Sequence, residues 1–221
     1  MSHELKLSEL EFGSLFTYTP KAQSDSQRKA KDVTFDIKYY RYVEDRGRPV
    51  IISEYISNYI KKEMGNLPFR NFFDNNPILV PVPNSSKRLE DTLWVPHKLA
   101  TALHENGFGI SVSTMLQRKI ALRKAATSPA KDRPKALEHF RSLEVQDILS
   151  EPKHILLIDD VVTRGATLLG AANKLFEIYP WAEIRAFTAM RTMSDPNDFK
   201  ELLDPCTGHI YLNGEETQRI P

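Results

Sequence analysis

Asp159 and Asp160 stand side by side directly after the apolar run 155–158. They are followed by Val161-Val162-Thr163-Arg164-Gly165-Ala166-Thr167 and then by a helical pattern. Two adjacent carboxylates can accept hydrogen bonds from neighbouring hydroxyls on one ligand. A short Thr/Gly loop that opens into a helix can aim several backbone N–H groups, and the positive end of the helix dipole, at an anion. A ligand with hydroxyls close to a phosphate answers both features, and a sugar phosphate is such a ligand.

Other chemistries for paired acids fit less well. A receiver domain also sets two acids at a strand end, but near the start of a domain, whereas these stand at 159 and 160 of 221 residues. A dehalogenase-type phosphatase needs Asp-x-Asp, and Val161 fills the third place. A plain turn needs neither two acids nor small residues after them. Apolar strand, Asp-Asp, then Val-x-Thr-x-Gly-x-Thr resembles the phosphoribosyl pyrophosphate (PRPP) motif of type I phosphoribosyltransferases. The resemblance implies that Asp159 and Asp160 hold the ribose 2′- and 3′-hydroxyls, and that Val161, Val162, Thr163, Arg164, Gly165, Ala166 and Thr167 form the 5′-phosphate loop.

A second polar loop, Asn84-Ser85-Ser86-Lys87-Arg88, follows the apolar run 78–80 and Pro81-Val82-Pro83. Its two cations suit a polyphosphate, lysine as a point charge and arginine as a planar fork, although a solvated turn would have the same composition. By resemblance it occupies the place of the family's pyrophosphate loop. Pro-Val-Pro followed by a basic loop is closest in layout to the competence-protein ComF branch. That branch continues into Gly-Phe-Asn-Gln, where this chain has Glu90-Asp91-Thr92-Leu93-Trp94, and it often carries an N-terminal cysteine zinc site. Between Arg118 and Arg141 lie eight cations (Arg118, Lys119, Arg123, Lys124, Lys131, Arg133, Lys135, Arg141) against Asp132 and Glu138. This stretch reads as a lid over a polyphosphate, or as a solvated or RNA-contacting excursion. Arg118, Lys119 and Arg123 are the first candidates within it.

The elements that must carry these loops follow from periodicity. The runs 78–80 and 155–158 read as strands buried on both faces. Residues 110–116 read as another strand, one more starts near Phe140, and 184–190 makes a further one. Helical spacing predicts helices over 49–64, 94–104 and 166–178. Asn213-Gly214 between two strand patterns predicts a hairpin. Residues 1–32 look weakly organised, with Phe12, Leu15, Phe16 and Tyr18 offering a short strand or turn and 21–32 a mobile loop. The alternation over 33–42 favours a strand, with a helix as the alternative. The expected fold class is therefore α/β, a parallel sheet with helices on both faces, like the type I phosphoribosyltransferases, plus a small N-terminal hood. The expected segments are a hood or accessory region over 1–76, a core over 77–192 and a turn-and-hairpin tail over 193–221.

Bulk properties exclude several classes. A net charge of +1 gives no general attraction to nucleic acid. Cys206 is the sole cysteine, which rules out an internal disulfide and a cysteine zinc site. No apolar run approaches the roughly 20 residues of a membrane span, so a cytoplasmic protein is expected. No P-loop and no Gly-x-Ser-x-Gly elbow occurs, and the histidines lack metal-ligand spacing. The resemblance implies a glycosyltransferase that moves ribose 5-phosphate from PRPP to a nitrogen acceptor, a base or an amine, and releases pyrophosphate. Asp159, Asp160, Lys87, Arg88 and Arg118 would be its catalytic groups, Asn84, Ser85 and Ser86 would join the phosphate loop in binding, and Mg²⁺ would enter with the pyrophosphate rather than on protein ligands. A homodimer is compatible with the family. The alternative is a non-catalytic module on the same fold that senses PRPP or nucleotides, or that serves DNA uptake.

Overall fold

The computed structural model describes residues 5–86, 92–123, 132–146 and 151–221. Strand β8 (His154–Val162) forms the middle of the architecture. Ile155 and Leu157 pack into one hydrophobic core, and Leu156 and Ile158 into another on the opposite face. A strand covered on both faces needs apolar residues at consecutive positions, which 155–158 supplies. β8 pairs in parallel with β4 (Ile78–Pro81) on one side and β9 (Glu183–Thr192) on the other. β5 (Ser111–Val112) lies beyond β4, and β1 (Glu9–Tyr18) beyond β9, again in parallel. The antiparallel strands β10 (Leu203–Asn213) and β11 (Glu216–Ile220) complete a seven-stranded sheet in the order β11-β10-β1-β9-β8-β4-β5.

Helices cover both faces. The helices α1 (Asp25–Lys38), α2 (Ile52–Glu63) and α3 (Val95–Glu105) send Ile37, Ile56, Ile60, Leu99 and Leu103 into one core. On the other face lie α4 (Ala136–Ser142) and α5 (Ala166–Ile178), with Leu168, Leu169 and Leu175 of α5 buried there. Each such leucine contributes about 1.5–3 kcal/mol through burial. Gly170 lets α4 and α5 cross closely, because a Cβ there would stand 2.6 Å from both the Ala136 carbonyl oxygen and His139 Cβ. Two short ribbons lie outside the main sheet: β2 (Tyr42–Asp45) with β3 (Arg48–Ile51), and β6 (Leu116–Arg118) with β7 (Leu143–Val145).

The chain leaves β4 through α3 toward β5 on one flank, and leaves β8 through α5 toward β9 on the other, with the two helices on opposite faces. Between β4 and β8 the winding therefore reverses. Connections diverge there and leave a crevice at the carboxyl ends of the strands, where open α/β sheets bind ligands. Among the described residues no helix is long and apolar enough to cross a membrane.

The N-terminal third departs from expectation. Phe12, Leu15, Phe16 and Tyr18, offered as a short strand or turn, do lie in a strand, but it is a full one inserted between β9 and β10. Its small and polar residues break the apolar pattern yet are accommodated: Gly13 lies under the Phe69 ring, and Ser14 and Thr17 are buried with hydrogen-bond partners. The sheet thus draws strands from all three expected segments. Residues 25–38 form one helix: the alternative of a helix over 33–42 holds up to the cap at Tyr39, while the strand alternative and the loop over 21–32 do not. The helix's buried face is Gln27, Ala30, Thr34 and Ile37, at helical spacing but with one large apolar residue, so the hydrophobic period is muted. Ser24 and Gln27 form a capping box at its start.

Further along, the expected strand over 110–116 is two strands in two sheets. The Ser113 hydroxyl accepts from the Met115 amide at 3.3 Å and turns the chain out of the main sheet. Phe140 belongs to α4, and strand structure resumes at Leu143.

Candidate functional site

Strand β8 continues past the acids to Val162, with Val161 and Val162 paired to Met190 and Arg191 of β9. Asp159 and Asp160 therefore sit within the last turn of pleat rather than in a loop, on opposite faces of the strand. Asp159 is buried, whereas Asp160 is half-exposed. The Asp160 amide donates to the Asp159 carboxylate at 2.9 Å, and the Val161 amide donates to the Asp160 carboxylate at 2.8 Å. Burial, reinforced by the neighbouring Asp160 charge, pushes the Asp159 carboxyl well above the usual carboxylate range. The pair is thus unequal: Asp160 is the half-exposed carboxylate, open to a ligand, and Asp159 is buried behind it.

The loop after β8 is short and tightly built. Gly165 has φ +85° and caps α5 without a side-chain hydrogen bond. A Cβ at that position would stand 2.6 Å from the Ile210 side chain, so the turn needs glycine both for its backbone and for its floor. The first amides of α5 have no acceptor within the helix, which leaves N–H groups and the dipole available to an anion. The Thr163 hydroxyl lies 3.1 Å from that of Thr192, and Arg164 pairs with Glu216 at 3.1 Å. Thr167 turns toward α4, its hydroxyl 3.3 Å from His139 Nε2.

On the other wall, β4 runs into the 82–86 loop beside Asp159, since the Val82 amide donates to the Ile158 carbonyl at 2.9 Å. Arg118, expected in a mobile lid, is instead buried. Its Nε donates to the Asn84 carbonyl at 2.9 Å, its Nη2 to the Pro83 carbonyl at 3.2 Å and its Nη1 to the Ser142 hydroxyl. Burial lowers this guanidinium to about 10 while the Asp159 charge opposes the shift, so it stays protonated at neutral pH. Arg118 thus shapes the loop from behind. The Leu122 amide donates to the Ser85 carbonyl at 2.8 Å, which keeps 120–123 against the same loop. A small crevice opens here, lined by Pro83, Asn84, Ser86, Trp94, Gln117 and Arg118. Lys87, Arg88, Lys124 and Lys131 lie outside the described residues.

The fold thus sets Asn84, Ser85 and Ser86 after β4, and the acid pair and the 163–167 loop at the end of β8, at the carboxyl ends of adjacent parallel strands; the small crevice takes in Asn84 and Ser86 but neither acid. Val161 and Val162 offer only backbone, because their side chains point into the two cores. Arg123 is held away by Glu138 at 3.4 Å and by the Asp132 carbonyl. His139, read from sequence as a surface or packing residue, is a packing residue that links Thr167 to α4, while Arg219, which donates to the Thr163 carbonyl, has no sequence signal. His139 sits in a weakly apolar stretch and Arg219 in a tail that reads as a hairpin, so only the three-dimensional pairing reveals them.

Among the described residues no group of three or more His, Cys, Asp or Glu is placed to hold a metal. No protein-family model matches this chain, and no curated protein sequence does.

Proposed function

We propose that this protein is a phosphoribosyltransferase of the type I kind, which transfers ribose 5-phosphate from PRPP to a nitrogen acceptor with release of pyrophosphate. One observation supports the reading: the acid pair and a glycine-turned helix start end β8, and a polar loop follows β4, at the carboxyl ends of two adjacent parallel strands where the sheet's winding reverses. Each matches one part of the ligand. Asp160 accepts from the ribose hydroxyls, backed by Asp159. The amides of 164–167 take the 5′-phosphate, so that binding energy remote from C1 orients the reacting carbon. The loop starting at Asn84 faces the pyrophosphate, with Arg118 fixing its carbonyls.

As pyrophosphate departs, positive charge develops on the ribose ring, and the neighbouring acids stabilise it. The leaving group carries its electrons away with the C1–O bond, and a nitrogen lone pair forms the new bond at C1. A divalent ion such as Mg²⁺ would supply charge neutralisation on the diphosphate; the donor set here fits an ion that arrives with its own phosphate ligands and meets Asp160. Trp94 and Gln117, which line the small crevice beside the 84–86 loop, mark the side from which the acceptor would approach.

The test is pyrophosphate release from PRPP and Mg²⁺ against a panel of nucleobases and amines. Activity with at least one acceptor is expected, and its abolition in Asp159→Asn/Asp160→Asn with the fold retained. Turnover unchanged in that double variant would overturn the assignment.

A further inference from the structure

The carboxyl ends of β8 and β9 are joined by a side chain from a distant strand. Arg219 of β11 donates through Nε to the Thr163 carbonyl at 2.8 Å and through Nη2 to the Thr192 carbonyl at 2.6 Å. Thr163 opens the phosphate loop, and its hydroxyl meets that of Thr192 directly. Arg219 Nη1 is buried without a hydrogen-bond partner among the described residues, and the guanidinium stands 5.7 Å from the Phe12 ring. The neighbouring guanidinium of Arg191 is neutralised by Asp204 at 2.6 Å, whereas Arg219 spends its bonds on carbonyls. Burial first, and Arg191 second, bring Arg219 down to about 10, so it stays charged at neutral pH.

The rest of the hairpin reinforces this contact. Ile210 of β10 forms the floor beneath Gly165, and Glu216 at the start of β11 pairs with Arg164. Lys135, just before α4, pairs with Glu215 at 2.5 Å and Glu216 at 3.4 Å. The loop is therefore held from below, behind and outside by the C-terminal hairpin. A rigid fork that spans two carbonyls is a task for arginine, because a lysine ammonium lacks the planar pair of donors. Its charge also lies next to the amides that face an anion, where it favours negative ligands.

We propose that Arg219 is a positioning residue for the phosphate loop: by tying the Thr163 and Thr192 carbonyls together it sets the opening that receives the 5′-phosphate. This rests on the reading of the site given above.

The experiment measures ribose 5-phosphate binding by calorimetry, together with hydrogen exchange of the 163–167 amides, in the wild type, Arg219→Ala and Arg219→Lys. Arg219→Ala should weaken binding by about tenfold or more and speed exchange at 163–167 while the amides of β8 stay protected. Arg219→Lys, which keeps the charge and loses the span, should fall between. In turnover the KM for PRPP should rise with kcat little changed, a split that general destabilisation would not produce. Should Arg219→Ala fail to fold, Arg219→Lys carries the test alone. Wild-type binding that persists unchanged in the variant that folds would overturn the positioning role and leave the site reading standing. Absence of ribose 5-phosphate binding in the wild type would overturn both.

Discussion

Arg118 Nε lies 2.9 Å from the Asn84 carbonyl oxygen, so a side chain of β6 holds the loop that leaves β4. The same guanidinium reaches the Pro83 carbonyl and the Ser142 hydroxyl, and so joins three elements distant in sequence. Its loss would leave buried acceptors unmet and a void under the 82–86 loop. Arg118→Met should therefore cost about 2–4 kcal/mol of stability, since each orphaned buried polar group costs roughly 1–3 kcal/mol. Arg118→Lys should recover the charge but only part of the bonding. Urea midpoints of the two variants test this; a loss under about 1 kcal/mol in Arg118→Met would mean that water replaces the guanidinium without difficulty.

The Asp159 carboxyl is held above its ordinary range by burial and by Asp160. A raised carboxyl binds its proton more tightly in the folded chain than in the unfolded one. Its contribution is therefore most favourable below about pH 4, the unfolded value, and declines as pH rises toward the folded one. Asn does not titrate and can still accept from the Asp160 amide. Asp159→Asn should thus be more stable than the wild type at pH 7, by something on the order of 1 kcal/mol, with the advantage shrinking toward pH 4. Sugar-phosphate binding should be lost in the same variant. Thermal unfolding at pH 4 and pH 7 checks it, and equal destabilisation at both values would sink the idea.

How much of this was legible in advance depends on how each segment buries itself. α5 was readable to its ends because its apolar residues cover one face and Gly165 marks its start. β8 was readable because strands covered on both faces are uniformly apolar, although its continuation through two acids and two valines was not. α1 hid because Gln27 and Thr34 fill its inner face, Gln27 donating to the Pro196 carbonyl and Thr34 to Met190 Sδ, so burial there does not look apolar. The Ser24/Gln27 capping box was the available sign. The acids and the phosphate loop could be proposed from type and order. Their support by Arg118, His139 and Arg219 could not, because those contacts join residues 28 to 56 positions apart.

His139 is buried between α4 and α5, and burial, with the Arg118 charge added, brings it down to about 3. The folded chain thus refuses a proton that the unfolded chain accepts below about pH 6.5. The stability that this neutral histidine supports is complete above that value and is lost as pH falls toward 3, by up to about 1.4 kcal/mol per pH unit. His139→Gln, which can still meet Thr167, should flatten the acid limb between pH 6 and pH 4. Melting temperatures across that range decide the matter: an unchanged slope in the variant would assign the acid sensitivity to other groups.

Gly165 carries two constraints that act together. Its φ of +85° disfavours any Cβ by about 1–2 kcal/mol, and Ile210 occupies the space that a Cβ would need. Gly165→Ala must therefore either shift Ile210 on β10 or rotate the loop, and the second course swings the Thr163–Thr167 amides away from their common focus. Arg219 opposes that rotation at Thr163, so strain should appear as lost affinity as well as lost stability. Ile210→Ala removes all three side-chain atoms that the new Cβ would meet, so Gly165→Ala made in that background should cost about half of what it costs in the wild type, the backbone part remaining. If the cost of Gly165→Ala is the same in both backgrounds, backbone conformation alone dictates the glycine and the Ile210 floor is incidental to the 163–167 loop.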